Sequence, residues 1–362
     1  MKFLVADPEK RNPYILQRIK DEGNEVLLLT QSKHRDYNLC ESVFTPQEAL
    51  EWNPDVALFI PGLGQAAHHF YSRGIKVLGG GLIHDTFYED PEYVTVLASR
   101  VRVPICRLDN GGPKIKAAGL YSKTGFIGPA LAYSQEFGLH SNSGNAEAIF
   151  LRQLPSDSIL VRETFSKLEK ALTCVDFCGW VFLEIQLDPD TGVPHIHSLS
   201  VEIPEGFYAA FLEGLDQPLS KLLESVANRK KGFTYQFKEE LVGAVKVTIP
   251  PYPLTKFPWL EGAEQLVAET LVLRGAKGLE ITSNGHHWVD ATNDDGLKTS
   301  GPEVAWVSHN SPDWEKLIAG LRTKANEVIP SGQFKQNLGL NYLRRELTYF
   351  EDTLETKKSG RR

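Results

Sequence analysis

Short apolar runs separated by amphipathic stretches open the chain. Lys2–Val5, Glu25–Leu29, Asp55–Ile60 and Lys76–Leu78 are nearly continuous in apolar residues and too short for helices. That is the texture of strands buried on both faces. Between them Tyr14–Glu22 and Ala66–Arg73 read as helices, and Thr45-Pro46-Gln47-Glu48 offers an N-cap with proline at the first helical position. Strands alternating with helices predict a parallel, doubly wound sheet over roughly the first hundred residues. Ligands of such sheets sit beyond the carboxyl ends of the strands. Asp7, Arg11, the Pro61–Gln65 turn with Gly62, and Gly79–Asp85 with His84 and Asp85 are therefore expected around one crevice as substrate contacts. The first of these loops has no glycine, which excludes a dinucleotide fingerprint.

A second pattern lies mid-chain. Trp180–Leu187 and His195–Ile203 alternate as two strands around a turn rich in Asp, Pro and Gly (Asp188–Gly192), which predicts a hairpin. Val181, Leu183, Ile185 and Leu187 point one way; Glu184 and Gln186 point the other. On the second strand Ser198, Ser200 and Glu202 alternate with apolar residues. Carboxylates on one face of a hairpin suit Mg²⁺, which takes hard oxygen ligands, although an ordinary half-exposed hairpin has the same pattern. Upstream, a glycine-rich run holds Gly111, Gly112, Lys114, Lys116 and Lys123. Backbone N–H groups and lysines of such a loop can cradle phosphates; a flexible connector is the equal alternative.

Phe87–Ser99, Leu160–Leu172 and Leu219–Ala227 read as helices, and Arg229–Gly232 as a basic surface linker. From Gly243 the texture changes to a strand, AVKVT, stopped by three prolines. Short strands at Leu279–Ile281, His287–Asp290 and Val304–Val307 and a helix over Pro312–Val328 follow, the makings of a small α+β unit. The expected segments are 1–104, 105–240, 241–342 and a charged tail at 343–362.

Composition bounds the function classes. With 362 residues, 41% hydrophobic and 23% charged, two or three globular domains are expected. A net charge of −7 carries no basic footprint and does not favour nucleic acid as a partner. The four cysteines are scattered, and Cys174 and Cys178 lack a second pair or a matching His spacing for zinc. No segment reads as a signal peptide or membrane span, and a reducing cytosol is the simplest compartment.

The order of these pieces resembles that of the phosphoribosylamine–glycine ligases (glycinamide ribonucleotide synthetases) of the ATP-grasp superfamily. GWVFLEIQLDPDTGVPHIHSLSVEIPEGF is similar to that family's strand, turn and "EFNxRFGDPE" strand, with Glu202 on the metal-binding Glu. DNGGPKIKAAGLYS resembles the "GGPNTGGMGAYSP" loop, and AVKVTIPPYP the strand ending in "GYP". The run from Gly301 resembles "GGRVL…YRRDIG", with Val304, Phe334, Leu338 and Gly339 in register. The resemblance implies an α/β fold: a pre-ATP-grasp parallel sheet, a reduced ATP-grasp domain and a small closing domain. Departures are as informative. The loop after the first strand lacks the family's Gly-Gly-Arg-Glu-His, Glu303 replaces an arginine, and Lys335-Gln336-Asn337 replace paired arginines. Those exchanges remove phosphate contacts. Pro204 replaces a metal-site Asn, and 105–159 is short for the mobile ATP lid. The lid is either absent or reduced to PKIKAAGLYSKTGF.

Three readings follow. The first is a divergent ligase that joins a glycine-like amino acid to a nucleotide or sugar-phosphate amine through an acyl phosphate, using ATP and Mg. In it Glu184 and Glu202 hold the metal with Glu205 beside them as catalytic carboxylates, and Lys114, Lys116 and Lys123 contact phosphate. Glu303 joins the substrate contacts. The second transfers an amino acid, without ATP, onto an activated nucleotide or modified DNA base, as in phage-type hypermodification. The third keeps the fold for binding alone.

Overall fold

The computed structural model of the protein describes residues 1–8, 12–31, 40–60, 63–100, 105, 112–137, 146–175, 177–248, 272–273, 286–288, 297–298 and 303–328. The chain starts with β1 (Lys2–Ala6), α1 (Pro13–Asp21), β2 (Glu25–Leu29), β3 (Glu41–Val43), α2 (Pro46–Glu51), β4 (Val56–Phe59), α3 (Gly64–Ser72) and β5 (Lys76–Leu78). The strands form a five-stranded parallel sheet in the order β3-β2-β1-β4-β5. This is the doubly wound unit that the alternation predicts. Successive side chains of each strand enter different cores: Leu4, Ala6, Ala57 and Phe59 pack with Ala67 and Phe70 of α3, while Phe3, Val5 and Leu58 pack with α1. Thr45 caps α2 through its hydroxyl and exchanges a capping box with Glu48.

The helix expected at Phe87–Ser99 is two helices, α4 (Leu82–Glu89) and α5 (Pro91–Arg100). Pro91 has no N–H to give to the turn before it, and Asp90 accepts from the N–H groups of Glu92 and Tyr93, restarting the helix.

The second sheet is built from β6 (Lys114–Ser122), β7 (Gly125–Phe137), β8 (Ala146–Gln153), β9 (Gly179–Leu187), β10 (Pro194–Ser200), β11 (Leu241–Thr248), β13 (His286–Trp288) and β15 (Glu303–Ser311). Its order is β10-β9-β6-β7-β8-β11-β15-β13, and its pairings are antiparallel. A two-stranded ladder joins β12 (Val272–Leu273) and β14 (Leu297–Lys298). The strands that follow residue 241 thus continue the same sheet as β6–β10. Helices α6 (Ile159–Glu163) and α7 (Phe165–Cys174) replace the single helix expected at Leu160–Leu172, and Thr164, buried at their junction, returns its hydroxyl to the Leu160 carbonyl.

The glycine-rich run expected as a loop is, from Lys114 on, strand β6. Ile115, Ala117 and Tyr121 face a core with α7 and with α10 (Trp314–Val328), and Gly119 lies against the rings of Phe126 and Phe165. Small residues there make room for aromatic neighbours. Ala118, Leu131, Leu151, Phe182 and Val242 face the other way, onto α8 (Phe207–Gly214) and α9 (Leu219–Ala227). Trp180 anchors that side, with ring centroids 4.9 and 5.0 Å from Phe207 and Phe211.

One glycine of β7 is indispensable to this packing. Gly128 has φ 69°, and a Cβ there would lie 2.3 Å from the ring of Tyr235, whose buried hydroxyl donates to the Pro129 carbonyl at 2.8 Å. Gly128→Ala is expected to cost about 2 kcal/mol, from overpacking and a left-handed backbone together. Urea denaturation checks it, as a lower midpoint with an unchanged slope.

Candidate active site on the large sheet

On the α8 face, the apolar core gives way to a polar row. Register sets Lys116 of β6 opposite Glu184 of β9 on one side and Tyr133 of β7 on the other. Ser198 of β10 stands opposite Glu184 from the far side, and Lys114 stands opposite Gln186. The Lys114 ammonium lies 3.4 Å from the Glu184 carboxylate; the two side chains are 31% and 27% exposed, so solvent reaches both. Burial, and secondly the Glu184 charge, push the Tyr133 hydroxyl far above its ordinary range, so it stays protonated as a potential donor.

Beside this row the turn after β10 folds over the sheet. Gln135, two residues beyond Tyr133, donates to the Glu205 carbonyl at 3.2 Å. The Glu205 carboxylate pairs with Lys246 of β11, a lysine only 2% exposed whose ammonium lies 5.4 Å from the centre of the Trp306 ring. Gly206 has φ 76°, with the Trp306 ring filling the space where a side chain would stand, and α8 starts from it. Sequence reasoning missed Lys246, although a lone charge inside the apolar strand LVGAVKVT is a legible signal. Tyr133, Gln135 and Ser198 carry no comparable signal, because only the register brings them to this face.

The expected residues separate into groups. Glu184, Lys114 and Lys116 come together. Glu202 does not join Glu184 through the ladder: β10 ends at Ser200, opposite Phe182, and Glu202 lies exposed two residues beyond. A bulge at His197 shifts the register so that Ser198, rather than His197, meets Glu184. Lys123 also leaves the set. It is exposed in the turn at the opposite end of β6, seven residues or roughly 23 Å along the strand from Lys116. Gly112 accepts from the Gln186 amide at 3.3 Å as β6 begins. Glu303 starts β15 opposite Thr248. Gly111, Arg11, Gly62, Leu279–Ile281, the run 331–342 and the tail 343–362 lie outside the described residues.

The single crevice expected at the parallel sheet is divided. Asp7 is buried and accepts from the Asn12 backbone and side chain at 2.8 and 3.1 Å, tying the loop to α1. Asp85 accepts from the Gly64 N–H at 2.6 Å, at the start of α3. It lines a cleft of about 780 Å³ with Gln31, Thr45, Gln65, His69 and Glu89. His84, its neighbour on α4, turns instead toward the large sheet: its ring stacks on Phe177 at 4.2 Å and meets Gly179. Both its ring nitrogens are buried without a hydrogen-bond partner.

Burial holds the His84 imidazole neutral, with its pKa lowered to about 3. The unfolded chain protonates this histidine below about pH 6.5 while the folded one does not, so its contribution to stability falls as pH drops from there toward 3. His84→Phe is expected to flatten the fall in stability between pH 6.5 and 4, by up to about 1.4 kcal/mol per pH unit. Denaturation midpoints of both proteins across that range check it.

No known family profile matches the chain, and no curated protein is similar to it in sequence. Solved structures are. The phosphoribosylamine–glycine ligase of Thermotoga maritima superposes with a TM-score of 0.66 at 14% identity, over 93% of this chain and 98% of that one. The phosphoribosylglycinamide synthetase of Anaerococcus prevotii superposes at 0.57 and 11%, over 92% and 99%. The fold is that of the ATP-grasp enzymes. A biotin carboxylase domain from Hydrogenobacter thermophilus, solved in complex with MgADP and bicarbonate, has the same fold at a TM-score of 0.59 and 10% identity, over 92% and 90%. Within this fold, PKIKAAGLYSKTGF forms the centre of the large sheet as β6 and the start of β7, so it is no separate lid. Only residues 101–113 link α5 to β6.

Proposed function

We propose that this ATP-grasp chain is a carboxylate–amine ligase that joins a glycine-like amino acid to the amine of a nucleotide-like or sugar-phosphate acceptor. The observation that carries the reading is the Lys114–Glu184–Lys116 row at the polar end of the α8 face. Lysines set in a half-buried sheet face suit the oxygens of a phosphoryl or carboxylate group and neutralise charge as it shifts during acyl transfer. ATP, when bound, supplies the phosphoryl group that activates the carboxylate. The ammonium groups of Lys114 and Lys116 fit its phosphates. The donor set for Mg²⁺ does not fit: one carboxylate, Glu184, has two lysines of β6 on one side and Ser198 of β10 on the other. In the reaction the amine nitrogen attacks the activated carboxyl carbon, the carbon–oxygen bond to phosphate breaks, and phosphate leaves. The nitrogen then loses a proton, for which the half-exposed Glu184 carboxylate is the acceptor on this face. Tyr133 and Ser198 supply hydroxyls beside it.

The test is incubation of the protein with ATP, magnesium, glycine and a panel of amines, scored by mass spectrometry. Amide product together with ADP, both requiring amine and glycine, is the expected result. Product formed only from a nucleotide acceptor supplied already activated, with ATP untouched, would favour the transfer reaction instead. That second reading draws on the short link between α5 and β6. No product from either source would sink the enzymatic reading.

A further inference from the structure

We infer that the polar row of the α8 face holds the anionic group of its substrate on lysines, without a divalent cation carried by the protein. The inference rests on the reading above that this face is where the substrate's phosphoryl or carboxylate oxygens sit.

A Mg²⁺ ion bound to Glu184 needs carboxylate oxygen at about 2 Å and several further oxygen ligands in near-octahedral array. At that position it would lie within a few ångströms of the Lys114 ammonium, itself 3.4 Å from the same carboxylate, with Lys116 on the facing strand. Like charges so close repel strongly where water is partly excluded. A second carboxylate would offset this, but the residues across from Glu184 and Phe182 are Ser198 and Ser200. Glu205, on the turn after β10, is paired with the buried Lys246. Among the described residues no three His, Cys, Asp or Glu side chains are grouped to hold a metal. At the Glu184 end of the row two lysines, Lys114 and Lys116, stand against the one carboxylate of the ladder, and that end is positive. A positive patch attracts an anion and rejects a bare cation.

The probe is ADP, titrated calorimetrically into the full chain with excess EDTA and, separately, with excess magnesium. Equal affinity in the two buffers, within about threefold, is expected, together with a loss of about tenfold in both for Lys116→Gln, the size of one charge-assisted contact. Lys123→Ala, at the other end of β6, should leave binding unchanged. Lys116→Glu sets a second carboxylate opposite Glu184, and residual binding in that variant should appear only with magnesium. Binding by the native protein only with magnesium, still weakened by Lys116→Gln, would overturn this inference and leave the ligase reading standing. No binding in either buffer, or binding indifferent to Lys116, would overturn both.

Discussion

Lys116→Ala is expected to slow amide formation about a hundredfold or more while moving the melting temperature by no more than about 2 °C. The two effects separate because of where the side chain sits. Lys116 is half-buried on β6, with its stem beside the Tyr133 ring and its charge opposite Glu184. The exposed part contributes little to stability, since ion pairs open to solvent are worth at most about 1 kcal/mol. A cation fixed on a sheet, by contrast, stabilises developing negative charge without reorganising, and removing one such group typically costs two to three orders of magnitude in rate. The loss should appear in kcat/KM with amino acid and with nucleotide alike. Steady-state kinetics beside a thermal melt checks it, and Lys123→Ala serves as the control expected to leave both unchanged.

Glu205→Gln is expected to destabilise the protein by about 3 kcal/mol, and Lys246→Met by no more than about 1 kcal/mol. The asymmetry comes from burial. Lys246 is enclosed between β8, β15 and the turn that starts α8, whereas the Glu205 side chain is 31% exposed. Neutralising the carboxylate takes a counter-charge away from an ammonium held in the interior. Removing the ammonium leaves a carboxylate that can turn to water, and methionine keeps contact with the Trp306 ring. If both variants lost the same stability, the pair would be acting as two exposed charges and the buried-lysine account would fail. Urea unfolding of the two variants, with the double variant closing the cycle, measures this directly.

How much of this was legible in the sequence follows from how local each feature is. The parallel sheet could be read because each of its strands is a short, nearly continuous apolar run between helix signals. The β9–β10 hairpin could be read from its alternation around the Asp188–Gly192 turn, down to which way Glu184 and Gln186 face. Strand β6 could not, because KIKAAGLYS packs alanine and glycine where bulkier strands carry valine, and the aromatic rings it accommodates, Phe126 and Phe165, come from elsewhere in the chain. The site itself was half visible. Alternation put Glu184 on the polar face of its hairpin, whereas Lys114 and Lys116, expected in a loop, reach that face only because the run forms strand β6. Glu202 is not set opposite Glu184 because it lies four residues beyond Ser198, the partner of Glu184, and past the end of β10. Lys123 stands apart from Lys116 because the run between them is an extended strand and not a compact loop.

Substrate anions are expected to occupy the polar row of the large sheet. A crystal structure of the protein grown with ADP tests it most directly. Phosphate oxygens within about 3 Å of the Lys114 and Lys116 ammonium groups are the predicted result. Phosphates in the cleft beside Thr45, Gln65 and Asp85 instead, with the lysine row in contact only with water, would contradict it.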